Sequence, residues 1–395
     1  MARSRATCFD AAALTAIVFV LVVVNLIFAA RGLVSARRSF DRVVGREFGA
    51  DVDLQQLSIV VPARNEERQI ESCVRSLLCQ HHPAFEVVVV DDCSEDATRS
   101  ILERLASQDS RLKVVAGKPL PAGWVGKPWA LVQGVAVARG EWLLFTDADT
   151  FHLPHGAASV HATAIQHGLD VLSVLTEQDL ETLAERALMP SLFLAILWGT
   201  GPIADVGDPG KSDVALFNGQ YIVISRDAYD AIGGHAAVRG EIAEDLELAR
   251  AFKRDGRFRI ALMASQDVAR TRMYRSLSEI WHGFTKNFAL GVRGRPRDAA
   301  VGIVGLTCLS PLSPVALVWL AATAQWPLAA ALALGMAASL ALVAYQLRLM
   351  RLSPALSVWF PIGIAYTAVV LVSSMLLFAS GRGVCWRGRR YTGNA

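Results

Sequence analysis

The sequence predicts an α/β domain on a parallel sheet, held between apolar segments long enough to cross a bilayer. Three observations predict it. Short, continuous apolar runs end in acidic residues, as strands buried on both faces of a parallel sheet do. Between the first two runs, apolar residues recur at helical spacing. Finally, the 395 residues are 53% hydrophobic and only 19% charged, where a soluble chain carries about 25% charged residues.

The excess apolar residues lie in Leu14–Ala30 and from Ala299 to Ser380, while Asp53 to Arg297 reads as ordinary soluble sequence. That middle block, about 245 residues, is long enough for one large domain with its own core. The chain is thus expected to divide into an anchor over 1–31, a soluble block over 53–297, membrane segments over 299–380 and a basic tail over 381–395.

Ala11–Ala30 supplies the apolar stretch of about 20 residues that spans a bilayer core of about 30 Å. A cleaved signal peptide ending at Ala29-Ala30 is the rival reading, but the apolar region of such a peptide is typically about 7–15 residues. Arg31, Arg37, Arg38, Arg42 and Arg46 crowd behind the run, against Arg3 and Arg5 before it. By the positive-inside rule the middle block then lies in the cytoplasm, on an inner-membrane protein with several spans.

Val301–Thr323, Pro327–Leu347 and Leu356–Ala379 are further candidate spans. If all of them cross, Arg348 and Arg351 fall inside and the tail with Arg382, Arg387, Arg389 and Arg390 falls outside. If Val301–Thr323, broken by Pro311 and Pro314, is re-entrant or interfacial, the tail returns inside. Both topologies stay open. Met189–Ala204, interrupted by Gly199, Gly201 and Pro202, reads equally as a buried helix or as an interfacial one meeting an apolar substrate.

A net charge of +3 is too small to argue for a nucleic-acid partner. The six cysteines (Cys8, Cys73, Cys79, Cys93, Cys308, Cys385) are scattered without a CxxC pair. They read as free thiols in a reducing compartment.

In the soluble block, Leu57–Val61 and Phe85–Val90 are strands. Between them Ile70, Val74, Leu77 and Leu78 mark a helix over Glu66–Cys79, completing a β-α-β unit. Ser94–Thr98 opens the next helix, to about Leu105; Leu112–Ala116 is a strand, Trp129–Ala138 a helix and Glu141–Phe145 a strand. Ligands of such sheets bind beyond the carboxyl ends of strands. Asp91-Asp92 and Asp147/Asp149 both stand there. The alternating pair turns two carboxylates around one loop toward a common cation, of the hard divalent kind that completes its shell with phosphate and water.

Pro62-Ala-Arg-Asn-Glu66, Val90-Asp-Asp-Cys-Ser-Glu-Asp-Ala-Thr98, Gly126-Lys-Pro-Trp-Ala-Leu131 and Thr146-Asp-Ala-Asp149 resemble family 2 glycosyltransferases of the GT-A fold, whose mixed sheet is Rossmann-like. Asn218-Gly-Gln220, Ile232-Gly-Gly-His235 and Glu244-Asp245 continue the resemblance. Arg272-Met-Tyr-Arg275, Trp281–Asn287 and Cys385–Tyr391 extend it to a membrane-bound branch associated with hopanoids and carotenoids.

The resemblance implies roles. Pro62, Ala63, Arg64, Asn65 and Glu66, with Asp91 and Asp92, would hold the nucleoside end of a nucleotide-sugar donor such as a UDP-sugar. Asp147 and Asp149 would hold the ribose and a Mg²⁺ or Mn²⁺ ion, and Lys127 would help neutralise the diphosphate. Asp245, after Glu244, would be the general base of an inverting displacement; its alternative is a first-turn helix acid. Asn218, Gly219, Gln220, His235, Arg272, Arg275, Trp281 and Lys286 are acceptor-side candidates. For His235 a satisfied loop histidine is the rival, and for Trp281 core packing.

The chain lacks the Gln-x-x-Arg-Trp string of processive members, which favours one transfer to a lipid acceptor in the bilayer over polysaccharide or polyprenyl-phosphate glycosylation. Association with isoprenoid-lipid biosynthetic enzymes is the expected partnership. A non-catalytic scaffold would have lost Asp149 or Asp245, and both are present.

Overall fold

The computed structural model describes residues 11–38, 42–46, 52–291, 296–380, 384–386 and 389–391. Arg3, Arg5, Cys8, Arg382 and Arg387 lie outside the described residues. The elements run in the order α1 (Ala11–Arg38), β1 (Arg42–Val44), β2 (Leu57–Ala63), α2 (Ile70–Leu78), β3 (Phe85–Asp91), α3 (Thr98–Ala106), β4 (Leu112–Ala116), α4 (Gly126–Val135), β5 (Trp142–Phe145) and β6 (Thr150–His152). Then come α5 (Gly156–Gln166), β7 (Val171–Leu175), β8 (Glu177–Gln178), α6 (Leu183–Thr200), β9 (Ile222–Ser225), α7 (Arg226–Ala231), α8 (Glu244–Asp255), β10 (Ile260–Gln266) and β11 (Ala269–Thr271). The chain continues through α9 (Leu277–Gly291), α10 (Pro296–Thr307), α11 (Ser313–Ala322), α12 (Trp326–Leu349) and α13 (Phe360–Ala379) to a hairpin of β12 (Val384–Trp386) and β13 (Arg389–Tyr391).

Two compact units emerge. One gathers Met1–Ala36, Thr182–Gly199 and Ser276–Leu376; the other gathers Arg37–Glu181, Thr200–Arg275 and Leu377–Ala395. Two pieces of the 53–297 block, α6 up to Gly199 and α9, therefore belong with the apolar helices.

The second unit is the α/β domain. Its main sheet has eight strands in the order β1-β10-β7-β9-β5-β2-β3-β4. All neighbours are parallel except β9, which runs antiparallel to both β5 and β7. Valine and isoleucine runs in β2 and β3 are buried on both faces. Leu57, Ile59, Val61, Val87 and Val89 meet Ile70, Val74 and Leu77 of α2 in one core cluster. On the opposite face Gly134 lets α4 lie close: a Cβ there would fall 2.5 Å from Val60 Cγ1. A three-stranded sheet, β6-β11-β8, completes the unit.

The helix α4 begins at Gly126, earlier than the apolar spacing implied, because Pro128 falls in its first turn, where a missing N–H costs no helical bond. That shift puts Lys127 on a helix N-terminus. The acids, by contrast, end β3 and follow β5, as expected.

The first unit packs α1, α6 and the later helices through small residues. A Cβ on Gly305 would meet Phe28 at 2.4 Å, and one on Gly363 would meet Ser191 Oγ at 2.3 Å. Close backbone approach of this kind substitutes for hydrophobic driving force in lipid. Among the described residues, four helical stretches are long and apolar enough to cross a membrane: Ala13–Val34, Arg297–Ala322, Trp326–Leu349 and Pro354–Leu377. The second of these is broken at Ser310, whose backbone is extended ahead of Pro311.

Candidate active site

The parallel strands bring their carboxyl ends to one edge, and β9, running the other way, brings its beginning to that same edge. Ile222 is paired with Phe145, so Asn218-Gly219-Gln220 lies beside Thr146 and Asp147. The Thr146 hydroxyl locks the two loops by donating to the Gln220 carbonyl at 2.8 Å. Gln220 is itself buried, its Oε1 accepting from Thr176 Oγ1 at 2.6 Å. Asn218 donates through Nδ2 to the Val174 carbonyl at 2.8 Å. Asn218 and Gln220 thus shape the loop through these bonds, and Gly219 is the member that approaches the acids.

At the centre stands Lys127. Its Nζ lies 2.7 Å from Asp147 Oδ1 and 2.6 Å from Glu244 Oε1. Asp245 is adjacent: its Oδ2 accepts from the Gly219 N–H at 2.9 Å and its Oδ1 from the Leu246 N–H at 2.8 Å. A Cβ on Gly219 would fall 3.0 Å from both Asp245 Oδ2 and Lys127 Nζ. Only a residue without a side chain leaves the carboxylate and the ammonium this close to the loop. Lys127, Asp147, Gly219, Glu244 and Asp245 are therefore one cluster, drawn from α4, the turn after β5, the loop before β9 and the start of α8.

The electrostatics follow from burial. Glu244, 4% exposed, is pushed up to about 7, first by desolvation, against the pull of Lys127 and with Asp245 and Asp147 adding to the rise. Burial works against the Lys127 charge, but Asp147, Glu244 and Asp245 outweigh it and hold the amine well above its ordinary value. The Glu244 value lies above the 4.5 of a free glutamate, so folding takes up a proton between the two. The stability it contributes is full below the lower value and lost as pH rises through the upper one. Thermal unfolding of the full chain should show wild type losing ground to Glu244→Gln between about pH 5 and pH 8, through this linkage. Parallel curves for the two proteins would exclude the shift.

The loop after β2 is tied to the loop after β3. Arg64 Nη1 donates to the carbonyls of Asp92 (2.7 Å) and Cys93 (3.0 Å), and its Nη2 lies 3.5 Å from Glu95. The Asn65 N–H donates to Ser94 Oγ at 3.0 Å, and Asn65 Oδ1 accepts from the Glu95 N–H at 2.8 Å. Asn65 and Cys93 both have positive φ, 54° and 55°, a conformation that asparagine tolerates better than most residues. The Glu66 N–H donates to Thr98 Oγ1, and the Asp92 N–H donates to the Ala63 carbonyl, both at 2.8 Å. Asp91 and Asp92 are buried, Asp91 Oδ1 accepting from the Ser94 N–H at 3.2 Å. Pro62, the last residue but one of β2, is in register with Val90.

The acceptor-side candidates divide. His235 is 1% exposed, packed edge-on to Phe145, with Nδ1 3.1 Å from the Tyr229 hydroxyl. Burial, and secondarily Lys127, pushes its pKa down to about 3. It is a satisfied interior histidine and offers an acceptor no surface, contrary to the place expected for it. Arg272 Nη1 pairs with Glu181 Oε2 at 2.6 Å, and Arg275 is exposed. Trp281 and Lys286 lie on α9 in the other unit, where Trp281 meets Tyr366 edge to face at 5.9 Å.

Outside the motifs legible in the sequence stand Arg99, 4.0 Å from Asp91 Oδ2, and Thr176, whose hydroxyl donates to Gln220 Oε1 and accepts in turn from the Thr271 hydroxyl. Lone threonines at strand ends carry no signal until their pairing is known.

An eight-stranded mixed sheet with acids at the ends of β3 and β5 and a small second sheet is the arrangement of the GT-A fold. The model of the family described as Glycosyl transferase family 2 matches residues 58–232, so that stretch is a family 2 glycosyltransferase domain. It is 25% identical over 268 residues to the 4,4'-diaponeurosporenoate glycosyltransferase of Staphylococcus haemolyticus (strain JCSC1435), covering 67% of this chain and 69% of that one. It is 36% identical over 129 residues to the poly(ribitol-phosphate) beta-N-acetylglucosaminyltransferase TarS of Staphylococcus aureus (strain Mu50), covering 31% and 21%. The chain spans less than two thirds of the length of several of the curated relatives it matches. Among solved structures, the mannosyltransferase PcManGT from Pyrobaculum calidifontis, in complex with GDP-Man and Mn²⁺, has the same fold: TM-score 0.58 at 19% identity, over 93% of this chain and 99% of that one.

Proposed function

We propose that this chain transfers a sugar from a nucleotide-sugar, with inversion, to a lipid acceptor held in the bilayer. The observation that carries the reading is the cluster at the sheet edge, where Lys127 bridges Asp147 and Glu244 beside Asp245. The loops carrying Arg64–Glu66 and Asp91-Asp92 form the nucleoside side, and Asp147 and Asp149 the diphosphate side.

A divalent ion fits these residues by chemistry. Asp147 and Asp149 offer hard oxygens two residues apart, and a cation, Lys127 Nζ, already shares Asp147 Oδ1. No set of three His, Cys, Asp or Glu is gathered for a metal among the described residues, so donor diphosphate oxygens are needed to complete a shell. When bound, Mg²⁺ or Mn²⁺ neutralises the charge of the departing diphosphate. Lys127 adds a second positive charge there. Asp245, oriented by the Gly219 and Leu246 N–H groups, takes the proton from the acceptor hydroxyl, while Glu244 holds Lys127 from behind.

The lipid acceptor is supported by the four apolar helices and by the carotenoid named in the description of the Staphylococcus haemolyticus relative. Purified enzyme incubated with labelled UDP-sugars and membrane lipid extract should yield a labelled lipid. Label found only in polymer would overturn the lipid reading. The arginines after the first span support a cytoplasmic catalytic unit by the positive-inside rule. A reporter fused after Arg46 should therefore give a cytoplasmic signal, and a periplasmic one would separate the domain from the nucleotide-sugar pool.

A further inference from the structure

Gln220 follows Gly219 and is held from both ends by buried polar groups. Its carbonyl accepts from the Thr146 hydroxyl at 2.8 Å, and its side-chain Oε1 from Thr176 Oγ1 at 2.6 Å. Thr176 accepts in turn from the Thr271 hydroxyl at 3.2 Å, and Thr271 on β11 is in register with Thr150 on β6. The carbonyl tie has a second link of its own. His152, two residues further along β6, places Nε2 3.0 Å from Thr146 Oγ1.

Thr146 and His152 are each 1% exposed. A threonine hydroxyl has one proton to give and lone pairs with which to receive. The Gln220 carbonyl can only accept, so the Thr146 proton goes there and the hydroxyl accepts from His152. The ring therefore carries its hydrogen on Nε2. Burial keeps it neutral, its pKa pushed down to about 3, and Nδ1 is a bare lone pair with no hydrogen-bond partner among the described residues. Leaving a polar atom buried and unbonded is costly. A phenyl ring would pack against Tyr221, whose ring centre lies 5.4 Å away, without that cost. Packing alone does not account for an imidazole; the Nε2–H does.

We infer that His152 is a positioning residue for sugar transfer: its Nε2–H fixes the direction of the Thr146 hydroxyl, which latches the Gly219 loop to the turn carrying Asp147. With the hydrogen on Nδ1 instead, Nε2 would draw the Thr146 proton to itself and release the Gln220 carbonyl. What the latch sets is the Gly219 N–H, 2.9 Å from Asp245 Oδ2, and with it the aim of the proposed base. The relay stands on geometry; its consequence for turnover rests on the function proposed above. Because Thr176 holds the other end of Gln220, loss of the relay loosens the loop without freeing it.

The test pairs two substitutions in the full chain. His152→Phe keeps the bulk of the ring and removes the donor, whereas His152→Gln brings an amide N–H near the position of Nε2. His152→Phe should lower kcat about 10–100-fold, the scale on which misplacements of about 1 Å act, with the KM for the nucleotide-sugar little changed. His152→Gln should recover most of that loss. A ring kept for packing alone gives the reverse order, with the Phe variant near wild type and the Gln variant impaired, and overturns the proposal. A loss confined to KM does so too. Thermal unfolding checks that the variants fold; if His152→Phe does not, Thr146→Val against Thr146→Ser asks the same question at the other end of the bond. Long-range proton–nitrogen NMR of the wild-type chain reads the tautomer without substrate, His152→Gln assigning the signal. A hydrogen on Nε2 is the expected result, and one on Nδ1 overturns the relay whatever the acceptor. Failure of label to reach any lipid overturns the proposed acceptor instead, and the kinetics are then read on the product that takes the label.

Discussion

Asp245→Asn should lower turnover about 10²–10⁴-fold, the usual cost of losing a general base, while nucleotide affinity changes little. The substitution keeps the side chain's size and leaves an oxygen to accept from Gly219 or Leu246, whose N–H groups now hold the carboxylate at 2.9 and 2.8 Å. It removes only the capacity to take a proton. A first-turn helix acid behaves differently: asparagine serves a helix N-terminus nearly as well, so activity would stay near wild type. Steady-state kinetics with UDP titration separate the two. Wild-type turnover in a folded Asp245→Asn protein rejects the base and turns attention to Glu244, whose oxygen is already engaged by Lys127.

Asp149→Ala should lose turnover and metal-dependent nucleotide binding together. Its carboxylate and that of Asp147 are the hard ligands that the turn after β5 supplies, and a divalent ion held by few protein oxygens loses a large part of its site with either. Calorimetric titration of UDP with and without Mn²⁺ reads this directly. Wild-type binding should tighten with the metal, and the variant should give the same weak binding in both. EDTA should silence wild type, and added Mn²⁺ or Mg²⁺ should restore it. A fully active Asp149→Ala protein in chelator would refute the assignment.

The acids at the sheet edge were legible because their signals are local. Asp91-Asp92 and Asp147/Asp149 follow unbroken apolar runs, and the end of a parallel strand is where a ligand meets a sheet. Lys127 was visible as a residue type, but its bridge from Asp147 to Glu244 joins positions 117 residues apart (244 minus 127), and no short-range pattern carries that. His235 misled because a glycine pair followed by histidine looks exposed, whereas Gly234, at φ 51°, turns the chain so that the ring packs beside Tyr229. The apolar stretch 189–204 was visible, but not which unit it joins, since periodicity gives a helix its greasy face without naming the partner.

The reversed strand β9 has a consequence for how such a protein can diversify. Because it enters the sheet from the edge that carries the acidic cluster, it acts as a seam: strands β2 to β5 on one side carry the loops proposed for the donor, and the segments before and after β9 carry Gly219, Glu244 and Asp245. The hydrogen bonds across that seam are mostly backbone ladder, which is indifferent to side-chain identity. On the proposed function, segments beyond the seam can be exchanged, and with them the acceptor, while the loops proposed for the nucleotide are kept.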